Sequence, residues 1–389
     1  MEHIKSSNSQ LSKSNEIYKL SSIERENSNC ITVIAIGDPH FKVSNVPESN
    51  QMTQRLIELA NKIQPDFIVN LGDTLHRHET IHVSPLMRAE NMMKKLSKIS
   101  KTYLIIGNHD RPNNSNYLTD EHPFNSLKEW NNIEVVDKVK EIILNGQKFI
   151  FVPYVPPGKF EEALSTLNSS FLDARCIFAH QEFKNAKMGA IVSTVGDIWP
   201  KSNPLVVSGH IHDYDKLQTN LIYTGTPMQH AFGDRSDKTI SVYKFYPEGN
   251  WKEERVDLGL IKREIIYLSP SDIHSFLPKQ DRLLKIVIKG EDSEIKSVMK
   301  LQKIKELKKA GIKISYKPII NDQQQDNNFD NLKMLKMSYL DRLYHEISHD
   351  NLQKIWFSKI FGDSNTHSNL HSNNSLKTLK TQNIKLNII

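Results

Sequence analysis

Ile31-Thr-Val-Ile-Ala-Ile36 runs straight into Gly37-Asp38-Pro39-His40, and this junction decides the fold. Six consecutive apolar or β-favouring residues read as a buried strand. The aspartate and histidine lie two positions apart just past its end, where open α/β sheets gather their sites. The same grammar recurs four times. Phe67–Leu71 precedes Gly72-Asp73, Thr102–Ile106 precedes Gly107-Asn108-His109-Asp110, Cys176–Ala179 precedes His180, and Leu205–Val207 precedes Gly209-His210-Ile211-His212. Further runs stand at Phe149–Val152, Leu221–Tyr223 and Ile240–Phe245.

Between the early strands, Thr53–Ile63 and Leu86–Ile99 place apolar residues three and four apart, as in Leu56, Leu59, Ala60 and Ile63. That stripe predicts helices packed on a sheet, so the layer is α/β. The later runs come at hairpin spacing and predict a second sheet, hence a layered α/β sandwich over residues 31–260. After Gly259 the character changes: a strand at Leu283–Lys289, an amphipathic lysine-rich helix at Ser293–Ala310 and a strand at Ile312–Tyr316 predict a small α+β unit over 261–320. Residues 1–30 read as a polar flexible leader and 321–331 as a linker. Residues 332–361 read as one or two amphipathic helices, and 362–389 as a disordered tail.

Composition narrows the function classes. At 389 residues, 38% hydrophobic and 25% charged, the chain has the profile of an ordinary folded protein, with no apolar run long enough to span a bilayer. Cys30 and Cys176 are too few for a disulfide framework or a cysteine zinc site and are expected to be free. Together with an N-terminus lacking a secretory pattern, they point to the cytoplasm or nucleus. The net charge is +6, yet Lys262–Lys317 alone holds 14 Lys/Arg against 7 Asp/Glu. Such a segment can meet a polyanion, and it can equally be a solvated lysine-rich face.

Asp38, His40, Asp73, Asn108, His180, His210 and His212 supply carboxylate, imidazole and amide donors suited to manganese, iron or zinc. Seven are too many for one ion, and a carboxylate can bridge two, so the set predicts two divalent cations and phosphoester hydrolysis. His109 is placed to stabilise charge or protonate a leaving oxygen, with Asp110 orienting its ring. His78 and His82 read as solvent-facing loop residues.

The ordered set Asp-x-His, Gly-Asp, Gly-Asn-His-Asp, His and Gly-His-x-His resembles the calcineurin-like metallophosphoesterase superfamily. The resemblance implies a four-layer αββα sandwich with a small α+β capping domain. It further implies one metal on Asp38, His40, Asp73 and His212 and another on Asp73, Asn108, His180 and His210, with Asp73 bridging. Within the superfamily three stretches resemble the nuclease subunit of the SbcCD complex and its eukaryotic meiotic-recombination counterpart. They are Gly72-Asp73-Thr-Leu-His76, the tract from Tyr223 to Gln229 with the following Phe232-Gly-Asp234, and the basic α+β unit. That likeness implies catalytic assistance by His76, manganese as the metal, DNA as substrate in repair or recombination, and a homodimer. It also implies a coiled-coil ATPase of the SbcC type docked through 332–361. The same metal ligands serve phosphatases and phosphodiesterases of proteins, nucleotides or small phosphoesters, which stand as the alternative.

Overall fold

The computed structural model describes residues 30–319. Its strands in the first half of the chain are β1 (Ile31–Ile36), β2 (Phe67–Asn70), β3 (Lys101–Ile105), β4 (Ile133–Val136), β5 (Lys140–Leu144), β6 (Gln147–Val152) and β7 (Cys176–His180). A short hairpin, β8 (Lys187–Met188) and β9 (Ile191–Val192), follows. Then come β10 (Leu205–Gly209), β11 (Asp215–Gln218), β12 (Leu221–Tyr223), β13 (Ile240–Phe245) and β14 (Trp251–Val256). The helices of this part are α1 (Val46–Ile63), α2 (Val83–Leu96) and α3 (Phe160–Leu164).

Two six-stranded sheets result. The first has the order β14-β13-β1-β2-β3-β4, and the second β11-β12-β10-β7-β6-β5. Strands β1 to β4 run parallel, as do β6, β7, β10 and β12. The spacing of the later runs predicted hairpins, but the central strands of the second sheet pair in parallel. The segments 153–175 and 181–204 are long enough for the crossover that parallel pairing requires.

Helix α1 starts at Val46, seven residues before the apolar stripe announces it. Pro47 falls in the first turn, where a missing N–H costs nothing, and Glu48 faces the positive end of the helix. The buried stripe Met52, Leu56, Leu59, Ala60 and Ile63 packs with Ala89, Met92 and Met93 of α2 against the outer face of the first sheet. Between the sheets lies an aromatic seam of Phe67, Phe149, Phe151, Phe178 and Phe245. The outer face of the second sheet is covered by Phe160 of α3 together with Phe183 and Trp199 from loops. These layers are the expected αββα sandwich. Both cysteines are free and buried.

The basic segment forms its own three-stranded sheet in the order β15-β16-β17, from β15 (Lys262–Leu268), β16 (Arg282–Gly290) and β17 (Lys313–Pro318). The single helix expected at Ser293–Ala310 is two helices, α4 (Asp292–Val298) and α5 (Gln302–Lys309). The break has a packing cause. Ile295 and Val298 of α4 and Ile304 and Leu307 of α5 all enter one cluster with Leu284, Ile286 and Ile288. Six residues separate Val298 from Ile304, so one continuous helix would turn the second pair about a third of a turn away. Among the described residues no helix is long and apolar enough to cross a membrane.

Candidate metal centre

The carboxyl ends of β1, β2, β3, β7 and β10 meet, and the five polar clusters meet with them. Four side chains there hang from left-handed backbone: Asp38 at φ 27°, His40 at 44°, Asp73 at 45° and His210 at 80°. Non-glycine residues occupy that region at a cost, and the surrounding structure must enforce it. Here the enforcement is visible. The His40 and Phe41 amides donate to the Asp73 and Thr74 carbonyls, the His109 amide donates to Asp73 Oδ1 at 2.8 Å, and the His210 amide donates to Asp38 Oδ1 at 3.1 Å. Of the glycines before each cluster only Gly72 needs its positive φ. Gly107 and Gly209 serve close approach instead: a Cβ would run into the Asp73 backbone at the first and the Asp38 carboxylate at the second.

The ligand atoms fall into two groups, Asp38 with His40 and His212, and Asp73 with His180 and His210. Asp73 reaches both, with Oδ2 3.7 Å from His40 Nε2 and Oδ1 3.3 Å from His180 Nε2. Asn108 Oδ1 lies 3.0 Å from His180 Nε2 and 3.0 Å from His210 Nδ1, inside the second group. All seven residues expected from the sequence are therefore together, and Asp73 stands between the groups as a bridge would.

These side chains fit divalent cations on three counts. The Asp38 carboxylate is wholly buried, yet its Oδ2 has no hydrogen-bond partner, a costly arrangement for an anionic oxygen unless a cation completes it. Burial pushes that carboxyl up to about 8, with the neighbouring Asp73 charge adding to the rise and His180 opposing it. The imidazoles are also set as ligands. His40 Nδ1 donates to the Leu75 carbonyl and His180 Nδ1 to the Leu71 carbonyl, leaving each Nε2 lone pair aimed at the site. Lastly, His40 Nε2 and His212 Nε2 converge to 3.0 Å, as two donors to one centre do.

His109 and His76 stand at the rim with ring planes 2° apart and centroids 6.0 Å apart. His109 Nδ1 donates to the His76 carbonyl at 2.9 Å, so Nε2 is the free tip, 3.9 Å from Asp73 Oδ2. Burial lowers this imidazole, favouring its neutral form. Asp110 has a different task from the one expected. Its buried carboxylate accepts from the amides of Leu75 at 2.8 Å and of Thr74 and Gly107 at 3.1 Å, which clamps the Asp73 loop to the Asn108 loop. The His76 carbonyl, and not Asp110, orients the His109 ring. His78 also differs from expectation: it is half-buried, its ring stacked on His109 and its Nδ1 donating to the Arg111 carbonyl at 3.1 Å. His82 is exposed, as read from the sequence.

Sequence reasoning missed two further residues. Glu182 Oε2 lies 3.8 Å from His210 Nε2, the back of a ligand imidazole. His230 donates Nε2 to the Asp38 carbonyl at 3.0 Å, and its ring stands 4.9 Å from His40. The position of Glu182 two residues past the strand-ending His180 was the available signal for the first. For His230 the signal was its place directly after Gln229.

The model of the family described as "Calcineurin-like phosphoesterase" matches residues 31–244. The chain is 39% identical to phosphoesterase 078R of Invertebrate iridescent virus 3 over 304 residues, 77% of this chain and 87% of that protein. It is 40% identical to phosphoesterase 244L of Invertebrate iridescent virus 6 over 279 residues, 70% of this chain and 98% of that protein. A more distant likeness, 25% over 194 residues, reaches the DNA double-strand break repair protein Mre11 of Saccharolobus solfataricus and covers 47% of this chain and 49% of that protein. With the five strand-end clusters converging on two ligand groups, the chain belongs to the calcineurin-like phosphoesterase family.

Proposed function

We infer that this phosphoesterase is a DNA nuclease of the SbcD type, working with two manganese ions in repair or recombination. The observation that carries the reading is the parallel pair His76 and His109 beside the two groups of candidate metal ligands. The likeness to Mre11 supports it, as does the basic sheet of residues 262–318. Asp38, His40 and His212 would hold one ion and Asn108, His180 and His210 the other, with Asp73 shared; oxygen and imidazole donors in this mixture suit manganese. When bound, the ions supply neutralisation of the phosphate ester and acidify water for attack on phosphorus.

The chain's own residues do the rest. His109, fixed through Nδ1 on the His76 carbonyl, presents Nε2 to give or take a proton at the ester oxygen. His76 stands parallel to it as the second imidazole at the phosphate. Asp110 keeps both loops in register by its three amide contacts. The basic sheet offers lysines to DNA phosphates, which supply most sequence-independent affinity. A homodimer, and an SbcC-type ATPase bound through 332–361, complete the reading; that stretch lies outside the described residues.

The test is manganese-dependent cleavage of end-labelled linear and hairpin DNA beside bis-para-nitrophenyl phosphate, for wild type, Asp73→Ala and His109→Ala. Cleavage of DNA by wild type and its loss in both variants is the expected result. Hydrolysis of the aryl diester alone would remove the nuclease reading and favour a phosphatase or small-ester phosphodiesterase.

A further inference from the structure

Beside His76 the surface opens into a cleft of ≈ 260 Å³ between the loop after β1 and the loop after Asp73. Its polar lining includes Lys42, His76, Arg77 and His82, and no carboxylate takes part. Apolar edges face the same space: Val43 is 58% exposed and Ile81 48%. Single exposed apolar residues mean little, but two on the walls of one cationic cleft next to a reaction centre match a ligand with a flat apolar face and an anionic group.

Lys42 is the fixed point. It follows the metal-site His40 by two residues, and its ammonium donates to the His230 carbonyl at 3.2 Å, which holds it in place. Among the described residues no carboxylate lies within ion-pairing distance of Lys42 or of Arg77. The acids nearest Lys42 are engaged elsewhere, Glu48 with the Arg263 guanidinium at 2.6 Å and Asp234 with the amides of His230 and Ala231. A half-buried ammonium anchored without an anionic partner is a receptor for an anion from outside.

We propose that this cleft is the subsite for the nucleotide adjoining the scissile bond, with the flanking phosphate on Lys42 and Arg77 and the base against Val43 and Ile81. The proposal rests on the nuclease reading and deepens it. A small phosphoester has nothing to place there, so the cleft makes the enzyme prefer a polynucleotide over an ester of equal reactivity. The adjoining cleft on the other side of Arg77, lined by Glu79, His109, Asp110, Arg111 and Glu121, carries three acids and suits a phosphate less well.

The test compares kcat/KM of the full chain with manganese on a short single-stranded oligonucleotide and on bis-para-nitrophenyl phosphate, for wild type, Lys42→Met, Lys42→Arg and Arg77→Gln. The ratio of the two values is the readout, so any general damage to the centre cancels. Loss of one charge-assisted contact predicts a fall in that ratio of about tenfold for Lys42→Met and for Arg77→Gln, carried mainly by KM, with Lys42→Arg near wild type. An unchanged ratio in both charge-removing variants overturns the subsite and leaves the nuclease reading standing. A wild-type enzyme that leaves the oligonucleotide uncut overturns both.

Discussion

The imidazole of His78 lies over that of His109, with ring centroids 4.5 Å apart and planes 23° from parallel. His109 is thereby fixed twice, by the His76 carbonyl through Nδ1 and by the His78 face. His78 is a positioning residue: it does not reach the ligand groups and acts through the ring it packs on. Replacing it by Ala is expected to lower kcat about tenfold or more, because small misplacements of a reacting group are costly. KM and bound metal should stay near wild type. His78→Phe, which keeps the stacking face, should recover much of the loss. A similar fall in kcat for both variants would show that the stack does not position His109.

The Glu182 carboxylate faces the back of His210 and is held by Ser193 Oγ at 2.5 Å. Carboxylates in that relation to a ligand imidazole orient it and raise its basicity. Glu182→Gln should therefore weaken manganese affinity by about 10–100-fold at one site of the pair, read by titration calorimetry. An unaltered isotherm would make Glu182 a bystander.

Metal removal should destabilise the fold, since it leaves Asp38 and Asp73 buried side by side with their cations gone. At saturating manganese the expected rise in Tm over chelator-treated protein is about 5–10 °C. The Asp73→Ala variant should lose most of that increment. Equal melting with and without metal in the wild type would mean that the two groups hold no ion.

Phe151 sits between the sheets, fully buried, with Tyr103 stacked at 4.1 Å and Phe178 at 5.7 Å. Phe151→Ala leaves a cavity between two sheets that cannot both relax into it, and should cost about 3–5 kcal/mol in denaturant unfolding. A smaller loss, under about 1 kcal/mol, would mean that the seam closes on the gap.

Asp137 accepts from His122 Nε2 at 3.3 Å and Lys128 Nζ at 2.5 Å. Burial alone would raise its carboxyl, but these two donors outweigh burial and hold it below the usual range. A depressed carboxyl stabilises the folded state above its unfolded value near pH 4, and that stability is lost as the pH falls below it. Asp137→Asn should thus be less stable than wild type by about 1–3 kcal/mol at pH 7. The two unfolding curves should draw together below about pH 4. A gap that is constant with pH would assign the loss to packing.

The candidate metal ligands were legible because each is a local event, an apolar run closed by Asp, Asn or His. The strand whose period announces it also delivers the ligand to the sheet edge. The layered α/β sandwich followed from the same runs and from the helical stripes of α1 and α2, and its four-layer αββα form from the family resemblance. The short edge strands β5, β11 and β14 were not legible, because half-exposed residues such as Lys140, Asp215 and Glu254 carry little apolar period and take their conformation from the neighbour they pair with.

By itself the sequence determined the candidate ligand set, its order and the family, since these depend on residue types at fixed local spacing. Tertiary structure decided what lies across the gaps: the His78 stack on His109 from 31 residues away, Glu182 behind His210, His230 on the Asp38 carbonyl, and Asp110 clamping two loops instead of orienting an imidazole. It also decided the parallel order of the second sheet and the break between α4 and α5. Local period cannot encode such pairings. They are settled when distant segments compete for the same buried space and the same hydrogen-bond donors, and that competition exists only in the folded chain.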